Sequence, residues 1–322
     1  MTQLKIGNVI LPHGLILAPM AGVTDTAFRL AALAFGAEYI VSEMVSAKAI
    51  CYDDKNTGAL MKILPDERPM AVQIFGSEPE VMAEAAKIIE ARNDAPDVID
   101  INMGCPVKKI VSNGEGSALA RSPEAAGKVV RAVKDSVKLP VTVKFRSGWD
   151  LDSVNAVEVA IACEANGADA VCVHGRTRQQ FYADPVDLDI IAKVKKAVKI
   201  PVIGNGGINS SKDALNMYAR TGCDGIAIAR GAMGNPWLFE EISAALDGRP
   251  YSPPDNNVIL KTALHQLEVM LREKSERTAI HEGRRQMSYY IKGVRGAAAA
   301  RGELMKAETK EEICEIMTSV LS

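Results

Sequence analysis

Val202-Ile-Gly-Asn205-Gly-Gly207 and Gly225-Ile-Ala-Ile-Ala229-Arg-Gly231 are two short apolar runs, each stopping abruptly at a polar side chain and glycine. Between them lies a polar, helix-length stretch. Working outward, the same alternation recurs at Gly14–Pro19, Glu38–Ser42, Ala71–Phe75, Val98–Asn102, Val141–Phe145 and Ala170–His174. Runs that are apolar nearly throughout are buried on both faces, which means a parallel sheet with helical crossovers. Together with Val202–Asn205 and Gly225–Ala229 they make eight βα units, which predicts an α/β fold, a TIM (β/α)8 barrel. No Gly-x-Gly-x-x-Gly follows the first run, which weighs against an open dinucleotide-binding sheet.

The chain has 322 residues, and a barrel of about 250 residues leaves room for an appended domain. Asp247-Gly-Arg-Pro-Tyr-Ser-Pro-Pro-Asp-Asn-Asn257 reads as a linker. Beyond it Leu260, Leu264, Leu267 and Leu271 share a helix face, as do Ile313, Ile316, Met317, Val320 and Leu321. Thr309 and Glu312 fit a capping box. The expected organisation is a catalytic barrel over 1–246, a linker over 247–257 and a C-terminal all-helical domain over 258–322.

Composition excludes more than it selects. The net charge of −2 announces no nucleic-acid partner, so any basic surface must be local. The six cysteines include no Cys-x-x-Cys and no close Cys/His pair, against a zinc site and against a secreted disulfide framework. Pro12 and His13 interrupt the first apolar run, and no window of about 18 apolar residues offers a membrane span. A reduced, soluble, cytoplasmic protein without a metal is expected.

Barrels of this kind carry their chemistry at the C-terminal strand ends. Those ends hold Ala18-Pro-Met-Ala-Gly22, Glu43-Met44, Gln73, Asn102-Met-Gly-Cys-Pro106, Lys144 with Arg146, His174 with Arg176, Asn205-Gly-Gly207 and Ala229-Arg-Gly231. The ring has neither a carboxylate pair nor a metal-ligand cluster and suits a polar planar cofactor better than hydrolysis. The last two loops offer backbone N–H groups and Arg230 to a phosphate, or their glycines merely make tight turns. Lys144 could form a Schiff base, hold an anionic ring or reach solvent. Gln73, as a buried amide, needs partners, which a flavin edge would supply. Cys105 stands apart from the other cysteines in a loop at the mouth, where it could give a proton, act as a nucleophile or be incidental.

Ala18-Pro-Met-Ala-Gly-Val-Thr-Asp25, Asp100-Ile-Asn-Met-Gly-Cys-Pro106, Val173-His-Gly-Arg-Thr-Arg178, Asn205-Gly-Gly207, Ala229-Arg-Gly-Ala-Met-Gly-Asn-Pro-Trp237 and Tyr290-Ile-Lys-Gly293 resemble the tRNA-dihydrouridine synthases, and their bacterial B-type branch in particular. The resemblance implies an FMN-dependent reduction of the C5–C6 double bond of uridines in the tRNA D-loop, with NADPH (or NADH) as electron source. It implies FMN held by Pro19, Met20, Ala21, Gln73, Lys144 and the Asn205, Gly206, Gly207, Ala229 and Arg230 loops, with His174 near the flavin. Cys105 becomes the general acid, and Asn102, Arg146 and Arg176 lie toward the uracil. Gly207, Ala229, Asn235 and the Tyr182–Asp187 run depart from the family's usual residues.

A flipped-out base needs its RNA anchored elsewhere. From Arg272 to Lys306 there are nine Lys/Arg against four Glu, beside Tyr289 and Tyr290. Arg284, Arg285 and Lys292 are the candidate tRNA contacts, against the alternative of a solvated helix face. The expected partner is tRNA, bound by a monomer. Rival readings are a flavin barrel acting on free pyrimidines, a flavin-free Schiff-base enzyme using Lys144, and a non-catalytic RNA-binding protein.

Overall fold

The structure is a computed structural model that describes residues 3–54 and 57–322. Ten strands occur among them: β1 (Leu4–Ile6), β2 (Val9–Leu11), β3 (Leu15–Leu17), β4 (Tyr39–Ser46), β5 (Met70–Phe75), β6 (Val98–Met103), β7 (Val141–Arg146), β8 (Ala170–His174), β9 (Val202–Asn205) and β10 (Gly225–Ile228). Strands β3 to β10 close into one parallel barrel, β10 pairing with both β9 and β3. This is the expected (β/α)8 architecture.

Side-chain period decides what each strand does. Outward residues such as Leu15, Leu17, Ile40, Val72, Ile99, Ile101, Val143, Val171 and Ile226 pack under the helices in one large core. Inward residues change character along the barrel axis. At the N-terminal end Ile16, Tyr39, Val41, Ala71, Val98, Ala170, Ile203 and Ala227 form a separate apolar cluster. Higher up the same inward positions become Gln73, Asp100, Asn102, Lys144, Arg146, His174 and Asn205.

Two features depart from the expectation. The apolar N-terminus forms an antiparallel hairpin, β1 with β2, whose Leu4, Ile6 and Leu11 close the barrel floor. Strand β4 runs to Ser46 rather than Ser42, with its register to β5 shifting between Val41 and Met44. At that irregularity the Ser42 hydroxyl accepts the Gln73 N–H at 2.9 Å, replacing a ladder partner.

His13, at the floor, lies between two carboxylates: Nδ1 is 2.8 Å from Glu38 and Nε2 is 2.9 Å from Asp247. Burial depresses the imidazole pKa, but the two carboxylates outweigh it and the net shift is upward. A raised folded-state pKa stabilises below the unfolded value, near 6.5, and that stabilisation is lost as pH rises through the folded value. Thermal unfolding of wild type against His13→Gln should therefore show a gap that is widest at acidic pH and shrinks into the alkaline range. A gap independent of pH would show that the paired imidazole is not charged.

After the last barrel helix, Leu238–Asp247, and an irregular 248–255, helices occupy Asn256–Glu273, Glu276–Tyr290, Ala297–Leu304 and Lys310–Leu321. Leu267, Met287, Tyr290, Leu304, Ile313, Met317 and Leu321 bury together, with Leu260, Leu264, Leu271, Ile316 and Val320 at the margin. The Thr309–Glu312 capping box is formed. This helical unit is fixed to the barrel by a buried polar chain: Lys274 Nζ meets Asp25 at 2.6 Å, Gln286 donates to Asp25 at 3.0 Å, and Gln266 links Gln286 to Tyr290. Trp237 of the β10 loop packs edge-on against Tyr290 at 6.0 Å. Tyr290 thus belongs to the core of the interface between helices and barrel. Among the described residues no helix is long and apolar enough to cross a membrane.

Candidate active site

A cavity of about 670 Å³ opens at the C-terminal end of the barrel, within the range of cofactor sites. Its wall includes Pro19, Met20, Ala21, Gln73, Asn102, Cys105, Lys144, Arg146, His174, Arg176, Asn205, Gly206, Gly207, Ala229 and Arg230. Every site residue expected in the barrel therefore faces one space. Strand register explains the grouping: Asn102 sits beside Lys144, Arg146 beside His174, and His174 beside Asn205 on adjacent strands.

One side of the cavity is a backbone cup. Among the described residues the amide N–H groups of Gly206, Gly207, Arg230 and Gly231 find no acceptor. Gly206 adopts φ of +116°, and a Cβ there would lie 2.8 Å from the His174 ring. The β9 and β10 loops touch so closely that a Cβ on Gly231 would lie 2.2 Å from the Ile208 carbonyl. Glycine is needed for both the conformation and the approach. The Arg230 guanidinium lies over the Tyr182 ring at 4.5 Å and makes no ion pair among the described residues. Free amides beside an uncommitted arginine are a donor set for a phosphate.

Gln73 is buried as expected, and the protein itself supplies part of its partners. Its amide is fully buried but already partnered: Nε2 donates to Asp100 at 2.6 Å, and Oε1 accepts from Asn102 at 2.8 Å. One N–H and one lone pair remain for a ligand. Asp100, whose role no sequence signal marks, anchors this layer and also accepts from Thr142 at 2.5 Å. Burial raises its carboxyl pKa, opposed by these two hydrogen bonds and by Lys144.

Lys144 is not a surface lysine: it lines the cavity and makes no hydrogen bond or ion pair among the described residues. Burial pulls its ammonium pKa down, and Arg146 adds to the effect. An unpaired amine at the mouth of a barrel is satisfied by an anionic or carbonyl-bearing ligand. His174 is held well below its ordinary pKa, first by burial and then by Lys144, Arg146, Arg176 and Arg230. Arg176 Nη1 lies 3.3 Å from Nε2. Arginine only donates, so Nε2 accepts and the neutral ring carries its proton on Nδ1.

Cys105 is nearly buried, in irregular backbone between β6 and the short helix Lys108–Val111. Asn102 Oδ1 accepts the N–H groups of Gly104 at 3.0 Å and Cys105 at 2.9 Å, so Asn102 shapes the loop as much as it lines the cavity. Burial pushes the Cys105 thiol up, against the Val107 amide, Arg146 and Lys144. The thiol is therefore protonated at neutral pH, the state an acid requires.

Arg146 and Arg176 serve the walls as well as the space. Arg146 Nε donates to Gly104 O at 2.8 Å and Nη1 to Phe181 O at 2.8 Å, with burial lowering its pKa to about 10. Arg176 donates to Ala183 O at 2.7 Å and pairs with Asp184 at 2.6 Å. Both hold the loop that brings Tyr182 into the cavity wall. That tyrosine was visible in the sequence only as a departure, and no periodic signal marks a loop aromatic.

The candidate RNA contacts separate. Arg285 donates to Gly22 O at the mouth, Arg284 donates to Met305 O at 3.2 Å within the helical unit, and Lys292 is exposed without a partner among the described residues. No group of three or more His, Cys, Asp or Glu side chains gathers as a metal site among them.

A family model described as dihydrouridine synthase (Dus) matches residues 16–321. A probable tRNA-dihydrouridine synthase of Rickettsia conorii is 41% identical over 325 residues, covering 99% of this chain and 98% of that protein. tRNA-dihydrouridine synthase B of Pseudomonas aeruginosa is 37% identical over 320 residues, 98% of this chain and 94% of that one. Among solved structures, a 2-naphthoyl-CoA reductase complex superposes with a TM-score of 0.60 at 13% identity, over 77% of this chain and 52% of that chain. An amine oxidase from Pseudomonas geniculata superposes at 0.57 and 16% identity, over 76% and 49%. These two likenesses show the barrel alone. With a matching family model across barrel and helices, and B-named relatives matched over nearly their full length, the chain belongs to the dihydrouridine synthase family, on its B-type branch.

Proposed function

We propose that the protein is an FMN-dependent tRNA-dihydrouridine synthase that reduces D-loop uridines in the cytoplasm with NADPH as electron source. The observation that carries the reading is one cavity lined by both the Cys105 thiol and the backbone amides of Gly206, Gly207, Arg230 and Gly231, which have no acceptor among the described residues. The residues fit FMN. Gly206, Gly207, Arg230 and Gly231 would take its phosphate, and Lys144 and the free N–H of Gln73 its polar ring edge, with Pro19, Met20 and Ala21 as the opposite wall. When bound, FMN supplies the hydride for uracil C6. Cys105 gives its proton to C5, which completes the reduction, and the thiolate is reprotonated from solvent. Neutral His174 lets the site hold an anion without adding a titrating group at neutral pH. Dihydrouridine mapping in tRNA from cells lacking the protein tests the reading: loss at D-loop positions supports it, and an unaltered tRNA profile overturns it.

The domain assignment follows as part of this proposal: barrel 1–246, linker 247–257, tRNA-binding helices 258–322. Not every cation in the basic stretch is free, since Lys274 is committed to Asp25 and Glu282. Lys292 is the cleanest contact to test. Lys292→Glu should weaken tRNA binding roughly ten-fold at low salt and flatten the log Kd against log salt slope by about one, with flavin content unchanged. An unchanged slope would assign the turn that carries Lys292, between the helices Glu276–Tyr290 and Ala297–Leu304, to solvent.

A further inference from the structure

We propose that Arg178 is a positioning residue for Cys105, with Trp149 as the plate that aims it. The inference rests on the reading of Cys105 as proton donor. The three successive carbonyls of the Cys105 loop are each held from a different element. Gly104 O accepts from Arg146 Nε at 2.8 Å, Cys105 O from the Ser117 amide at 3.0 Å, and Pro106 O from Arg178 Nε at 3.2 Å. Pro106 has no amide to donate, so this carbonyl is its one backbone hydrogen-bonding group.

Arg178 is itself rigidly seated. Its amide donates to Gly148 O at 2.8 Å, and the next amide, Gln179, donates to Trp149 O at 3.0 Å. Its guanidinium lies over the Trp149 ring at 4.7 Å, and Arg121, from the segment that follows the Cys105 loop, lies over the same ring at 4.8 Å. Trp149 therefore joins the loop after β8, which holds Pro106 O, to the segment ending at Arg121 that follows the Cys105 loop. Only a planar guanidinium can stack on the ring and direct Nε–H at a carbonyl together; a lysine ammonium cannot. A proton donor works within hydrogen-bond reach of its acceptor atom, and a misplacement of about 1 Å costs on the order of 10²-fold.

The test uses the flavin-loaded protein with tRNA, and the protein alone with a thiol reagent. Arg178→Ala should lower the single-turnover rate of uridine reduction about 10- to 100-fold, leaving the KM for tRNA, its salt dependence and the rate of flavin reduction by NADPH near wild type. Arg178→Lys should not rescue the rate, Trp149→Phe should rescue it in part relative to Trp149→Ala, and alkylation of Cys105 should speed up in Arg178→Ala as the loop is released. A raised KM with a flattened salt dependence and an intact turnover rate would make Arg178 a phosphate contact and overturn the inference. So would unchanged alkylation together with unchanged turnover. Full turnover by Cys105→Ala would remove the proton-donor reading itself, a separate result, since the alkylation rate reports the loop's restraint without any turnover.

Discussion

Cys105→Ala is expected to bind FMN normally and to have it reduced by NADPH at the wild-type rate, while uridine reduction falls about 10²- to 10⁴-fold, the usual contribution of a positioned acid. The cause is local. The thiol faces the cavity and burial keeps it protonated; His174 is neutral, the Arg146 and Arg176 guanidinium groups are engaged with loop carbonyls, and in this reading the Lys144 ammonium is taken up by the flavin edge. The pH profile follows from the same shift. Because the thiol pKa is raised, the protonated form persists through the neutral range, and the rate should decline only in the alkaline limb as the thiol ionises. Rapid-quench measurement of dihydrouridine in pre-loaded, pre-reduced protein separates this step from flavin reduction. A variant that keeps full turnover would show that the proton comes from elsewhere.

Gly206→Val should produce the second large effect, on the cofactor rather than on the proton. The backbone there is at φ +116°, and a Cβ would lie 2.8 Å from His174 Cδ2 and 3.3 Å from Val186 Cγ1. Relieving that contact turns the loop and removes two of the four free amides from the cup. Backbone strain of about 1–3 kcal/mol and lost charge-assisted bonds of about 1.5–3 kcal/mol each together predict FMN binding weakened by at least about 100-fold. Arg230→Ala is the milder companion, removing one cation and no amide. Fluorescence titration of apoprotein measures both. Retention of wild-type affinity in Gly206→Val would place the phosphate somewhere else.

Much of this was legible in the sequence because a buried parallel strand writes its pattern plainly. Val141-Thr-Val-Lys-Phe-Arg146 shows the inward residues Thr142, Lys144 and Arg146 alternating with the outward Val and Phe, and the polar inward residues fall where the barrel opens. Gly206, Gly207 and Gly231 were legible for a similar reason, since glycine repeated at two strand ends signals close backbone approach. The hairpin over 4–11 was not, because each strand is three residues long and reads as one apolar run. Asp100 went without a role although it sits in the same period as Asn102; a buried carboxylate is told from an exposed one only when its partners are in view. Tyr182, Arg178 and Trp149 lie in loops, where spacing carries no facing information and contacts appear only after folding. The basic helices were readable as charge but not as geometry: Lys274, counted among the cations, is consumed by the barrel interface.

The phosphate cup proposed at the β9 and β10 loops is tested most directly by one comparison: the affinities of apoprotein for FMN and for riboflavin, which shares the ring system and lacks the phosphate. FMN should bind at least about 100-fold more tightly, the worth of two or more charge-assisted hydrogen bonds. Equal affinity for the two, or no binding of either, would contradict it.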